Sequence, residues 1–292
     1  MANHNFIEQI SSEVPILIAG QTASGKSQLA LQIAEKSDRI IVNADAIQVF
    51  ENWRILTARP STAEENKFKH ELYGHIPAEV EYSVGQWLGE VKKILSICSG
   101  PIIVGGTGLY FSALTNGLVN IPEIPAKIRS EANKRAKTEG FKSLINEIDP
   151  ETIKLIDKNN PMRVQRAWEV MKATGRGLVS WHNQTPEPTL SLKNCEAILV
   201  DCDAPTVNKR IKNRFDQMLD NGLMDEALKN FSTWDEKNPS SKAIGAKELM
   251  AFLNDDISME HLKEKVLVAT RRYAKRQRTW FRSKMKSWKK LN

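Results

Sequence analysis

Cysteine is scarce in this sequence. Of 292 residues only three are cysteine, namely Cys98, Cys195 and Cys202, and none of them belongs to a CxxC pair. This count and spacing argue against both a disulfide framework and a zinc site. We interpret all three as small buried apolar side chains. The five histidines are scattered and show no metal-ligand spacing either.

Long apolar runs are also absent. No segment approaches the roughly 18 apolar residues that cross a bilayer, and the first residues lack the basic head and apolar stretch of a secretory signal. We therefore expect a cytoplasmic protein with no membrane partner. The hydrophobic fraction of 41% and charged fraction of 26% are typical of a globular chain, and the length favours one domain with an insertion, or two domains.

Acidic residues are missing from the C-terminal segment. Residues 271–292 contain ten Lys or Arg and no Asp or Glu, so the net charge of +7 becomes 7 − 10 = −3 for the rest of the chain. A basic block on a slightly acidic body is an electrostatic feature for which a polyphosphate is the commonest partner.

The N-terminal part has the pattern of an α/β protein. VPILIAG is a short apolar run that ends in glycine and precedes the helical pattern SQLALQIAEK, which predicts strand, loop and helix. Two further buried strands are predicted in RIIVNAD at 39–45 and PIIVGGTG at 101–108. We expect an α/β fold in which helices flank a doubly wound parallel sheet.

The pattern changes at about residue 118. Strand-like runs disappear, and helical patterns rich in Lys, Glu and Ala continue until CEAILVDCD at 195–203 predicts a return to the sheet, followed by helices to the end. This order predicts a discontinuous α/β core made of residues 1–117 and 195–292. Residues 118–194 would form an all-helical insertion domain.

A phosphate-binding loop is the most specific motif. Gly20, Gln21, Thr22, Ala23, Ser24, Gly25, Lys26 and Ser27 form GxxxxGKS between a predicted strand and a predicted helix, the context that a P-loop requires. The backbone N–H groups and the helix N-terminus attract phosphate, Lys26 adds a positive charge, and the Ser27 hydroxyl can ligate magnesium. With the parallel sheet, the loop predicts a P-loop NTPase-like fold. It does not identify the molecule that carries the phosphates.

Two other strand ends should lie beside this loop. Asp45 follows the second strand and could hold magnesium, act as a general base, or simply cap a turn in solvent. The third strand ends in GGTG at 105–108, which brings Thr107 to the same edge of the sheet. Together with Lys26, these residues predict one site.

Basic residues recur at helical spacing in two places. Arg271, Lys275, Arg278 and Arg282 share a face of the final predicted helix, and a nucleic-acid backbone is the favoured partner over bare solvent or a membrane surface. Val266, Tyr273 and Trp280 recur every seven residues on another face. Arg163 and Arg166, with Gln165 beside them, share a helix face that could contact phosphate or a base edge, or could be ordinary surface.

With these features in place, the chain resembles the tRNA dimethylallyltransferase family, also called tRNA isopentenyltransferase, from about residue 15 to the end. The motifs that carry the resemblance occur in the family's order: GQTASGKS, NADAIQVF, TARP, EYSVGQW, VGGTGLYFSAL, NPMRVQRAWEVMKATG, RFDQMLDNGL, IGAKEL and TRRYAKRQRTWFR.

The resemblance implies transfer of a dimethylallyl group from dimethylallyl diphosphate to N6 of the adenosine immediately 3′ of the anticodon, with Mg²⁺ and release of diphosphate. The implied catalytic residues are Asp45 as general base, Thr107 as a positioning hydroxyl, and Lys26 and Arg214 as partners of the leaving diphosphate. The resemblance also implies that the diphosphate lies in the P-loop and that Ser27 ligates the metal. The implied tRNA-binding residues are Asp45, Ala46, Ile47, Gln48, Thr107, Arg129, Met162, Arg163, Val164, Gln165, Arg166, Arg271, Lys275 and Arg278. The resemblance also implies a monomer that binds the anticodon stem-loop, with the helical insertion domain 118–194 in contact with tRNA.

The chain departs from the family pattern at several positions without losing Lys26, Asp45 or Thr107. The substituted positions are Gln21 for Pro, Ala46 for Ser, Phe50 for Tyr, Leu56 for Gly, Arg59 for Lys and Ala246 for Tyr. Three other activities share some of these features: a P-loop small-molecule kinase, prenyl transfer to free adenine nucleotides, and non-catalytic RNA binding. The kinase leaves the basic C-terminal segment unexplained.

Overall fold

The structure, a computed structural model, describes residues 13–98 and 100–291. The chain separates into two compact units. The first consists of the chain up to Thr115 together with the chain from Thr189 onward, and the second runs from Asn116 to Pro188. The sequence pattern suggested 118–194 for the second unit.

A six-stranded parallel sheet forms the centre of the first unit. Its strands are β1 (Ile16–Gly20), β2 (Ile41–Asn43), β3 (His70–Glu71), β4 (Ile102–Gly105), β5 (Glu196–Val200) and β6 (Lys289–Leu291). Their order is β3-β2-β4-β1-β5-β6, and every pair is parallel. The fold class predicted from the sequence is confirmed.

The central strand β1 is buried on both faces. Ile18 pairs with Val104 of β4 on one side and with Ile198 of β5 on the other, and each of these side chains is at most 3% exposed. Strands covered by helices on both faces consist of continuous apolar runs, which is why VPILIAG and PIIVGGTG could be recognised. The helix after the P-loop buries Leu29 and Ile33 against this sheet.

Helices cover the sheet. Those of the first unit are α1 (Lys26–Ser37), α2 (Thr62–Lys67), α3 (Val84–Ile97), α4 (Gly108–Asn116), α9 (Ala204–Asp220), α10 (Leu223–Phe231), α11 (Ala246–Leu253) and α12 (Met259–Lys284), with α4 ending one residue inside the second unit. Among the residues that the structure describes, no helix combines the length and the apolar character needed to span a membrane.

The chain ends in a strand, which corrects the expectation of helices to the end. After α12, Trp288 lies buried with its ring edge-on to Phe111, and β6 then pairs in parallel with β5 at the margin of the sheet. Leu291 accepts a hydrogen bond from the backbone of Asp201 at 2.8 Å. The segment is too short and too charged to resemble a strand in sequence.

The second unit is helical. It contains α5 (Ala126–Arg135), α6 (Pro150–Leu155), α7 (Pro161–Thr174) and α8 (Leu178–His182), together with a π-helical turn at Ala136–Gly140 and a 3₁₀ segment at Phe141–Glu147. Trp168 is its largest buried side chain and donates its indole N–H to Glu147 at 2.9 Å. Leu144 and Val164 complete a small apolar core around it.

Candidate active site

The P-loop connects β1 to α1 in a tightly packed conformation. A side-chain carbon at Gly20 would lie 2.6 Å from Ser24 Oγ and 3.0 Å from the Val200 carbonyl oxygen, so only glycine fits there. Gln21, where the family pattern has proline, is buried and donates its side-chain amide to the Cys202 carbonyl at 2.7 Å. The loop is therefore anchored to the chain that follows β5.

Two positive side chains meet beside this loop. Burial lowers the pKa of Lys26 to about 8; Asp45 opposes this shift and Arg214 adds to it. Burial also lowers the pKa of Arg214 from its usual value, again against the effect of Asp45, and its guanidinium donates to Thr22 Oγ1 at 3.4 Å. Both residues are only partly exposed to solvent, and two such cations close enough to repel each other are stabilised when an anion binds between them.

Asp45 is held at the end of β2 by its neighbours. The Asn43 side chain is fully buried, donates to the Asp45 carbonyl and accepts the Asp45 N–H, at 2.9 and 2.8 Å. Asp45 Oδ1 accepts the Ile47 N–H at 3.1 Å. A side-chain carbon at Gly106 would lie 3.0 Å from Asp45 Oδ2, so this carboxylate lies against the glycine loop after β4.

Thr107 joins the same two loops. Its Oγ1 accepts the Ala46 N–H at 2.9 Å, and its own N–H donates to the Ala44 carbonyl at 3.1 Å. Because the hydroxyl oxygen already accepts a bond, its proton remains available to donate to a bound molecule. The structure thus brings Lys26, Arg214 and the two predicted strand-end residues to one edge of the sheet.

Gln277 of α12 is a site residue that the sequence analysis missed. It is 6% exposed; its Oε1 accepts the Thr22 N–H at 2.8 Å, and its Nε2 donates to the Gly106 carbonyl at 2.9 Å. It therefore ties the P-loop to the glycine loop. Its spacing was a usable signal, because Val266, Thr270, Tyr273 and Gln277 follow one another at four, three and four residues and so share a helix face.

A cavity of about 420 Å³ opens at this edge of the sheet. Its size is that of a small-molecule site. Its polar end carries Asp45, Thr107 and Arg214. Its apolar side chains are Ala23, Ala46, Ile47, Leu56, Ile211, Phe215, Met218, Ile244 and Val266. Two exposed cations, Lys242 and Arg276, also line it, so its mouth is positively charged.

Oxygen ligands for a metal are few at this site. The Ser27 residue at the start of α1 is exposed, and among the described residues His, Cys, Asp and Glu side chains form no group of three that would hold an ion. Mg²⁺ prefers oxygen ligands and usually keeps waters while binding one or two protein groups plus substrate phosphates. The residues present fit such an ion only where a phosphate substrate completes its coordination.

The residues after Asp45 have different surroundings. Ala46 and Ile47 line the cavity. The Gln48 side chain instead donates to the Thr57 and Ala58 carbonyls at 2.8 and 3.0 Å, which supports the loop. Arg59 likewise donates to backbone, at 3.1 Å from the Phe50 and Glu51 carbonyls.

The expected RNA-binding residues of the second unit are distributed unevenly on α5 and α7. Met162 and Arg163 are exposed, whereas Val164 is fully buried in the core of the unit, so its side chain is unable to reach a ligand. We assign Val164 to packing. Burial lowers the pKa of Arg166; Glu169 opposes this, and the nearby Arg129 contributes to it.

Gln165 connects the two helices of this surface. Its side-chain amide donates to Asn133 on α5 at 2.8 Å and to the buried Glu169 at 2.9 Å. Arg129 and Arg166 lie close enough to affect each other, and Glu169 is the acidic residue that acts on Arg166. Such a pair favours an anion, as phosphate recognition requires.

The basic stripe on α12 is exposed at Arg271 and Lys275, whereas Arg278 is partly buried. Arg282 forms an ion pair with Asp201 at 3.2 Å and so has an internal partner. Of the apolar face, Val266 is buried, Tyr273 lines the cavity, and the Trp280 ring packs on Gly108, where a side-chain carbon would lie 2.2 Å from it. Helix α12 thus carries exposed cations on one face and cavity-lining residues on another.

Comparison with known proteins identifies relatives of this chain. A family model described as IPP transferase matches residues 48–284. The chain is 49% identical over 286 residues to a tRNA dimethylallyltransferase of Ruegeria sp. (strain TM1040), with 98% of each chain covered. It is 51% identical over 276 residues to a tRNA dimethylallyltransferase of Roseobacter denitrificans, with 94% of this chain and 98% of the relative covered.

Solved structures are similar over most of the chain. The full-length tRNA isopentenylpyrophosphate transferase of Bacillus halodurans superimposes with a TM-score of 0.67 at 29% identity, covering 96% of this chain and 89% of that one. A eukaryotic dimethylallyltransferase, described in crystallographic snapshots of its action on tRNA, superimposes with a TM-score of 0.78 at 25% identity. That match covers 91% of this chain and 69% of the other.

Proposed function

The chain belongs to the IPP transferase family, and from this premise we propose that it transfers a dimethylallyl group from dimethylallyl diphosphate to N6 of an adenosine in tRNA, immediately 3′ of the anticodon. The observation that carries the proposal is the cavity of about 420 Å³, which is lined by Thr22 and Ala23 of the P-loop, the cation Arg214, the Asp45 carboxylate and an apolar wall. A prenyl transfer to an amine needs phosphate-binding groups, a carboxylate and an apolar wall together.

The donor's diphosphate lies in the P-loop, between Lys26 and Arg214. An allylic diphosphate carries negative charge that grows on its oxygens as the carbon–oxygen bond breaks, and fixed positive groups stabilise that charge most where water is excluded. The lowered pKa of Lys26, about 8, still leaves it mostly charged at neutral pH, and a bound diphosphate raises it again.

The acceptor amine meets Asp45 and Thr107. The amine nitrogen forms a bond to C1 of the donor, the C1–O bond breaks with its electron pair leaving on diphosphate, and the amine proton passes to the Asp45 carboxylate. The Thr107 hydroxyl, which accepts the Ala46 N–H, donates its proton to an oxygen or nitrogen of the reacting groups. An adenine reaches these groups only after leaving the base stack.

RNA binding uses the positive surfaces of both units. Arg271 and Lys275 on α12, and Arg129, Arg163 and Arg166 in the second unit, are the cations that we propose contact phosphates of the anticodon stem-loop. Gln165 is held in a network with Glu169 and Asn133, and it orients this surface of the second unit. We propose that the enzyme works as a monomer.

Mg²⁺ is the proposed metal, and the Ser27 hydroxyl is the protein group that would hold it beside the diphosphate. When bound, it supplies positive charge to the leaving diphosphate. Lys26 and Arg214 provide the remaining charge neutralisation from the protein itself.

The test mixes purified protein with labelled dimethylallyl diphosphate, Mg²⁺ and either unmodified tRNA or AMP. We expect label in the tRNA alone, on the adenosine 3′ of the anticodon. Label in AMP would support transfer to free nucleotides instead. A control with labelled ATP and no prenyl donor tests phosphoryl transfer, and phosphate transfer there would contradict the proposal.

A further inference from the structure

The apolar part of the cavity has a fixed closed end. Phe215, Met218, Val266 and Leu56 line it and are each no more than 8% exposed, whereas Lys242 and Arg276 lining the same cavity are exposed. The buried set is therefore the floor of the cavity, and the cations are at its rim.

Residue positions on two helices give the distance from the P-loop to this floor. On α9, Arg214 contacts Thr22 of the P-loop and Met218 follows one turn later, which is about 6 Å along the helix. On α12, Gln277 contacts Thr22 and Val266 lies eleven residues earlier, about 16 Å along that helix. The apolar floor thus starts one helical turn beyond the phosphates and has a limited depth.

Leu56 stands at the far end of this space. A side-chain carbon at Gly245 would lie 3.0 Å from Leu56 Cδ1 and 3.4 Å from Val266 Cγ2, so Leu56 packs against the chain beside Val266. Behind it lies the apolar cluster that contains Trp53, Leu223 and Leu262. Leu56 therefore separates the cavity from the protein core.

The backbone that carries Leu56 is held in place by one carboxylate. Glu226 on α10 accepts three consecutive backbone N–H groups, those of Arg54 and Ile55 on Oε1 at 2.7 and 2.8 Å and that of Leu56 on Oε2 at 2.9 Å. Hydrogen bonds to a charged acceptor are stronger than neutral ones. A longer ligand would have to break this set or displace tightly packed core side chains to move Leu56 aside.

From this arrangement we infer that Leu56, at the closed end of the cavity, restricts the prenyl donor, so that a five-carbon allylic diphosphate is used in preference to a ten-carbon one. The inference rests on the proposed function, since it assumes that the prenyl chain extends from the P-loop along the apolar floor. Shortening Leu56 to alanine removes three carbons from the closed end and opens the cavity toward Trp53 and Leu223.

The experiment compares dimethylallyl diphosphate with geranyl diphosphate as donors to unmodified tRNA, using the wild-type protein, Leu56→Ala and Leu56→Val. Wild type should use geranyl diphosphate poorly. Leu56→Ala should raise the geranyl-to-dimethylallyl ratio of kcat/KM at least about tenfold, since a single methylene in an apolar pocket discriminates by 10-fold or more. Leu56→Val, which disturbs packing least, should give a smaller change in the same direction.

Leu262→Ala is the matched control, because Leu262 is buried in the same cluster but does not line the cavity. It should lower the melting temperature without altering the donor ratio. An unchanged ratio in the folded Leu56 variants, or an equal change in Leu262→Ala, would overturn the inference, as would equal use of both donors by wild type. If wild type transfers neither prenyl group to tRNA, the proposed function itself fails.

Discussion

Replacing Gln277 by methionine tests whether one buried amide holds the two halves of the site together. Methionine has nearly the same length and no group able to form either hydrogen bond. The change removes the contacts to the Thr22 N–H at 2.8 Å and the Gly106 carbonyl at 2.9 Å. Each bond contributes about 0.5–1.5 kcal/mol, and a buried group left unpaired costs about 1–3 kcal/mol.

The net loss of unfolding free energy should therefore be about 2–4 kcal/mol, since solvent can satisfy the half-exposed Thr22 more easily than the buried Gly106. For a chain of this size that corresponds to a fall of roughly 3–7 °C in melting temperature. Because the glycine loop carries Thr107, we also expect kcat/KM for prenyl transfer to fall about 10²-fold, as a displacement of about 1 Å at a reacting group does.

Two assays separate the effect of Gln277 on stability from its effect on donor binding. Thermal unfolding reports the loss of packing, and steady-state kinetics with the donor varied report the P-loop. Gln277→Glu keeps an acceptor for Thr22 but loses the donor to Gly106 and adds a negative charge, so its KM for the diphosphate should rise more than that of the methionine variant. Gln217→Met, on the exposed side of α9, is the control and should behave like wild type. Wild-type kinetics and stability in folded Gln277→Met would refute the reasoning.

Further predictions address catalysis, RNA binding and the metal. Asp45→Asn should lower kcat by about 10²–10⁴-fold, the usual contribution of a general base, while tRNA binding measured by filter retention stays unchanged; an active variant would remove Asp45 from the mechanism. Reversing the charges of Arg271 and Lys275 should weaken tRNA binding and reduce its salt slope by roughly 1.5, whereas reversing the exposed lysines at 92–93 should not. Ser27→Ala should raise the Mg²⁺ concentration that gives half-maximal transfer; an identical Mg²⁺ titration in both proteins would exclude Ser27 as a ligand.

The sequence could predict the parts of the fold that have a strong local signal. The buried strands β1 and β4 are continuous apolar runs, and the P-loop has fixed glycines and a helix behind it. β3 and β6 were missed because they are two and three residues long and contain charged residues, which are half-buried in β3 and exposed in β6. Their pairing is set by the strands beside them.

The parts of the site that could not be predicted depend on contacts between distant segments. Gln277 and the P-loop are more than 250 residues apart, and a polar residue in a basic helix resembles surface until its neighbours are known. Glu226 is similar, because it looks like an ordinary acidic residue in the first turn of α10 but accepts three N–H groups of a remote turn. Val164 shows the converse, since its position in an RNA-binding motif concealed its burial.

Helix α12 presents Arg271 and Lys275 to solvent and Gln277 to the P-loop, within two turns of a single rigid rod. A ligand that binds Arg271 and Lys275 therefore acts on the same helix that contacts the P-loop through Gln277. Thermodynamic linkage makes such an effect mutual. If a polyanion bound to the outer face changes the affinity for diphosphate by some factor, then bound diphosphate changes the affinity for that polyanion by the same factor. The coupling between the two sites would then depend on one helix.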